Sequence, residues 1–150
     1  MTTSTSQNQS IKRYTVKEPW KDYSVTLEVD HSILTPEHAE LINTFWGDHK
    51  YRVSAENGDV VRAVIRLAGS TMIRIMLAEG GTSFTEKTKG PILDDNPGPL
   101  WTKDLHDEEG WGGTEPGKPF GWCGIRCVAA DIEMPGYEDV ELSEEKPNPA

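Results

Sequence analysis

Cysteine is nearly absent from this chain: of 150 residues only Cys123 and Cys127 carry a thiol. Two cysteines exclude a disulfide-stapled scaffold. They stand four apart in a segment that reads as a strand, so they share a face about 13 Å apart at ~3.3 Å per residue, beyond disulfide reach. A reduced, cytoplasmic protein is the expectation. Long hydrophobic runs are missing too. No stretch approaches the ~20 apolar residues of a membrane span, and the N-terminus has neither the basic patch nor the apolar run of a secretory signal. Histidine is sparse, and none of His31, His38, His49 and His106 makes a same-face ligand pair with another His or Cys. The run His106-Asp107-Glu108-Glu109 offers nitrogen and oxygen, yet adjacent positions rarely converge on one ion. The sequence therefore predicts no metal site and no cofactor. G-x-S-x-G, the phosphate-binding loop and the dinucleotide fingerprint are all lacking, and Ser70 and Ser83 have no recognisable base. Nothing points to nucleophilic catalysis, and the reading leans towards a protein that is not an enzyme.

Positive charge is scarce in one part only. Residues 1–93 carry 11 acidic and 11 basic side chains, whereas residues 94–150 carry 14 acidic and 4 basic ones. The whole net charge of −10 therefore sits in the last third. Such a field repels nucleic acid and anionic membrane and attracts basic protein surfaces. The expected partner is a protein with a basic surface, with no direct nucleic acid and no membrane; the oligomeric state stays open.

The ends are poor in apolar residues. Residues 1–10 (MTTSTSQNQS) and 143–150 (SEEKPNPA) offer little to offset the entropy of ordering, so both are expected to be disordered tails, the second acidic. A single domain over 11–142 is of common size. Residues 23–30 alternate: Val25, Leu27 and Val29 against Ser24, Thr26, Glu28 and Asp30, the mark of a half-buried strand. Residues 11–18 read as its hairpin partner across Pro19–Asp22. Thr35 as N-cap, Pro36 at the first helical position and Glu37 open a helix over 36–46, with Gly47 as its C-cap. From Asp59 to Glu79, Val61, Val64, Ile65, Ala68, Met72, Ile75 and Met76 form a stripe at helical spacing, the signature of a central buried helix. Gly69 in its middle costs about 1 kcal/mol against alanine, which a close crossing by another element explains. Residues 81–119 read as a long loop with a short helix near Leu100–Glu108, where Leu100, Trp101 and Leu105 pack inward. Residues 120–133 read as a strand. One side holds Trp122, Gly124, Arg126, Val128, Ala130 and Ile132, and the other Cys123, Ile125, Cys127 and Ala129. After the Pro135-Gly136 turn, Val140 and Leu142 suggest a last edge strand. The order gives an α+β fold: an antiparallel sheet of about four strands with two helices on one face.

The segments TLEVDHSILTPEHAELINTFW, GDVVRAVIRLAGSTMIRIML, HDEEGW and GIRCVAADIE resemble a family of small proteins of unknown function found in bacteria, bacteriophage and other mobile elements. The resemblance covers residues 23–142. It implies a mobile-element accessory setting and brings no catalytic residues; the acidic surface, read in such a setting, makes a host protein the expected partner.

Three constellations remain. Asp104, Asp107, Glu108, Glu109, Glu138, Asp139 and Glu141, with Asp94-Asp95 and Glu144-Glu145, read either as solvation or as a partner-binding face that imitates a phosphate backbone, as an anti-defence inhibitor would. Arg62, Arg66 and Arg74 line one helix face, either as solvated charges or, with His106, as an anion site for a small molecule or nucleotide. Trp101, Trp111 and Trp122 surround a glycine-rich stretch. Trp101 and Trp122 read as anchors, and Trp111, with little core near it in sequence, as a partner contact. A structural or assembly role is the third alternative.

Overall fold

Alternation of apolar and polar residues produces two strands with the expected bounds. In the computed structural model, which describes residues 10–90 and 95–146, β1 (Ile11–Glu18) and β2 (Tyr23–Asp30) pair antiparallel from Ile11 opposite Asp30 to Glu18 opposite Tyr23. β3 (Thr82–Phe84) and β4 (Ile125–Ile132) complete one open sheet in the order β1-β2-β4-β3, all neighbours antiparallel. Four helices accompany it: α1 (Pro36–Asn43), α2 (His49–Ala55), α3 (Val60–Ala78) and α4 (Gly98–Asp107). The architecture is α+β. The tail residues 1–9 and 147–150, and Asp94, lie outside the described residues.

The capping chemistry acts as written in the sequence. Thr35 Oγ1 accepts the His38 N–H at 3.3 Å, and Asp59 accepts the Arg62 N–H at 3.1 Å, each satisfying a first-turn donor of its helix. α1 ends three residues earlier than expected, and Gly47 is not its cap. Thr44 closes the helix, and the buried Asn43 starts a different network. Its Nδ2 donates to the His49 carbonyl, and its Oδ1 accepts from Arg52 Nε at 2.8 Å. Arg52 also donates to the carbonyls of Asn43 and Gly47, which tethers α2, a helix without buried residues and hence without an apolar stripe to announce it.

α3 lays Val64, Ile65, Ala68, Met72 and Met76 onto Val25, Leu27 and Val29 of the sheet, with α1 beside it contributing Ala39 and Ile42. Each fully buried aliphatic of this kind contributes about 1.5–3 kcal/mol relative to exposure. The expected crossing at Gly69 is made by β1: a Cβ there would lie 2.3 Å from Val16 Cβ.

Two sequence expectations about the sheet are corrected. Thr26 faces Ala129 while Leu27 faces Cys127, so Val128 is an extra residue, a β-bulge. The bulge reverses the alternation: Ile125 and Cys127 before it, and Ala130 and Ile132 after it, are all buried rather than divided between two faces. Second, Val140 and Leu142 form no strand. Residues 137–139 make a single 3-10 turn, and the fourth strand is β3, inside the stretch expected to be loop.

Candidate functional site

The C-terminal third is organised around α4. β3 has only three residues and pairs with Ala130–Ile132, which leaves the earlier part of β4 without a neighbour on that side. α4 covers it. Thr102 Oγ1 accepts the Cys127 N–H at 2.9 Å, and His106 Nε2–H donates to the Ile125 carbonyl at 2.7 Å, fixing the tautomer. Thr102, Leu105 and His106 are buried for this reason, whereas Leu100, expected inside, is exposed because it faces away from β4.

The acidic residues of α4 fall into two groups. Asp107 accepts from Lys103 Nζ at 2.7 Å and from Thr114, which hold its carboxyl below the usual aspartate range. Glu108 meets Arg74 at 3.3 Å. Asp104 makes no ion pair among the described residues. Burial pushes its carboxyl up, and Glu79 at the end of α3, with Asp107 and Glu108, pushes it further against the weaker pull of Lys103. Glu79 and Asp104, distant in sequence, therefore share one negative area. Glu138, Asp139 and Glu141 sit on a segment exposed from Glu133 to Lys146. That segment also carries Tyr137 at 94% exposure and Leu142 at 100%, with Val140 between them.

Arg62, Arg66 and Arg74 do not form one site. Arg62 and Arg66 both reach Glu56, at 3.5 and 2.9 Å, beside β1, while Arg74 lies apart with Glu108. His106 lines a different cavity from Arg62 and Arg66. Trp111 is the clearest correction. It is 1% exposed and packs 5.4 Å from the Trp46 ring, so it anchors its loop and presents no surface to a partner. Gly110, at φ +94°, lies so close to Trp46 that a Cβ would come within 2.5 Å of that ring. Both cysteines are free and buried, and burial raises each thiol to about 12. Among the described residues no group of three His, Cys, Asp or Glu side chains is placed to hold a metal ion, and no helix is long and apolar enough to cross a membrane.

Sequence reasoning missed the outer face of the sheet. Glu28, nearly buried, accepts from Arg13 Nε at 2.9 Å and from Arg126 Nε at 2.8 Å. Arg13 also grips Glu86 through both of its terminal nitrogens. Burial alone would raise the Glu28 carboxyl, but hydrogen bonds from Arg126 and Arg13 outweigh it and hold it below the usual glutamate range. The one available signal was Glu28 itself, a charged residue inside an alternating strand rather than at its end. Beside this network, between α4 and residues 114–119, opens a cleft of about 560 Å³.

Protein ea10 of Escherichia phage lambda and the lambda prophage-derived protein ea10 of Escherichia coli O6:H1 are each 33% identical to this chain over 69 residues, 46% of this chain and 55% of theirs. The chain thus spans about half the length of the curated relatives it matches. No solved structure matches. Both of these relatives are phage or prophage proteins. Residues 24–142 of this chain match the model described as protein of unknown function (DUF2528), and the chain belongs to that family.

Proposed function

We propose that this is a phage accessory protein that acts by binding a host protein with a basic surface. One observation carries the reading: the exposed segment after β4 sets Tyr137, Val140 and Leu142 among Glu138, Asp139 and Glu141. Large apolar side chains in water are unfavourable unless something covers them, and the interleaved carboxylates select a cationic cover. Asp104 and Glu79 add negative charge on the body, while Asp107 and Glu108 are largely neutralised by Lys103 and Arg74. Such a surface imitates a phosphate backbone, so a nucleic-acid-binding component of host defence is the class of target it fits, which would make the protein an anti-defence inhibitor.

The test is affinity capture from host lysate with the tagged full chain. A basic protein should be retained at low ionic strength and released as salt rises. The double variants Glu138→Lys/Glu141→Lys and Tyr137→Ser/Leu142→Ser should each weaken retention about tenfold or more, with unchanged circular dichroism. Retention by both variants at wild-type strength overturns the reading.

A further inference from the structure

Residues 94–150 contain four basic side chains among fourteen acidic ones, and three of the four, Lys103, Lys118 and Arg126, line one cleft. The cleft, of about 560 Å³, is of the size that takes a small organic ligand. Val128, the extra residue of the β4 bulge, lines it together with Arg126, two positions earlier on the same side of the strand. Bulges recur beside binding sites. His106 also lines it, its ring fixed by the bond to Ile125. Pro116 and its neighbouring prolines form stiff apolar walls that lose little freedom when a ligand arrives.

The cations are held but not consumed. Arg126 gives Nε and Nη2 to Glu28, at 2.8 and 2.6 Å, which leaves Nη1 available. Its guanidinium lies 4.8 Å from the Phe120 ring, so it is braced on a second side. Among the described residues Lys103 and Lys118 are tied to the exposed Asp107 and the half-exposed Glu115, at 2.7 and 2.9 Å. Exposed pairs of this kind contribute little, and an entering anion exchanges with them readily. Of the two carboxylates in the lining, Glu115 belongs to Lys118, and Glu86 is already gripped by Arg13. An acidic third that gathers its cations into one apolar-walled cleft has built an anion site.

We propose that this cleft binds a small organic anion, a phosphate or carboxylate group carried on an apolar body of about one ring, with the charged group at Lys103, Lys118 and Arg126 and the body against Val128 and the prolines. The site is separate from the exposed C-terminal segment. The experiment is a two-dimensional amide NMR titration of the full chain with phenyl phosphate, benzoate and inorganic phosphate in turn. Saturable shifts confined to residues 102–106, 114–119 and 125–128 are expected with at least one of the two aromatic anions, and the tighter of the two assigns the charged group. Inorganic phosphate should bind about tenfold more weakly, for want of an apolar body. Lys103→Glu/Lys118→Glu, both exposed positions, should weaken the aromatic anion about tenfold or more while the remaining spectrum stays folded. Absence of saturable shifts with both aromatic anions overturns the proposal. So does equal binding of inorganic phosphate, or a double variant that binds as the wild type does.

Discussion

Gly69 is where α3 touches the sheet, and the contact leaves no room for one more carbon. A Cβ at 2.3 Å from that of Val16 meets a branched side chain fixed to its own backbone, which cannot swing aside. Gly69→Ala should therefore destabilise the protein by about 1–3 kcal/mol in urea unfolding, despite alanine's better helix propensity. Val16→Gly in the same chain should recover part of that loss, a coupling that a double-mutant cycle measures. A stabilised single variant would show that the helix and strand are free to separate. The cost of a mid-helix glycine was legible in the sequence, and so was the need for a crossing; the partner was not, because nothing local links residue 69 to residue 16. Trp111 failed for the same reason. Its immediate neighbours are glycines, and the ring that buries it, Trp46, is 65 positions away in the chain.

At the scale of elements, β1, β2, α3 and most of α4 follow from periodicity and caps. What escaped is where one element substitutes for another. α4 satisfies backbone groups that a longer β3 would have paired, through Thr102 and His106. Periodicity within α4 gives no hint of this. Thr102→Val keeps the shape but leaves the Cys127 N–H buried without an acceptor, which should cost about 1–3 kcal/mol. Thermal or urea unfolding checks the loss, and faster amide exchange at Cys127 should accompany it. The bulge at Val128 escaped as well, because an insertion of one residue leaves apolar side chains on both sides of an apparent alternation. α2 carries no buried residue and is tethered by Arg52, a polar cause that a hydrophobic pattern does not register.

For the molecule as a whole, charge decides how stability responds to pH. Glu28 titrates below its ordinary value of 4.5 in the folded state. Its contribution is thus complete above the unfolded value and is lost as pH falls through the folded one. Unfolding free energy should drop as pH falls through and below the ordinary glutamate range, and Glu28→Gln should make that drop shallower. The variant should also lose about 1–3 kcal/mol at neutral pH, since two arginines surrender a charged acceptor. Superimposable pH profiles for the two proteins would remove Glu28 from the account. The asymmetry of net charge was plain in the sequence, but its local balance was not. Neutralisation of Asp107 and Glu108, and the pairing of Arg13 with residues 28 and 86, depend on tertiary placement. The same placement governs how the sheet meets other chains. One margin stops at a three-residue strand with α4 laid over the gap behind it. The opposite margin, β1, runs for eight residues, pairs among the described residues with β2 alone, and carries Lys12 and Lys17 along it. A foreign strand stitched onto this fold finds its longest seam there, and the two lysines set along it resist a second copy doing so and seeding a fibre.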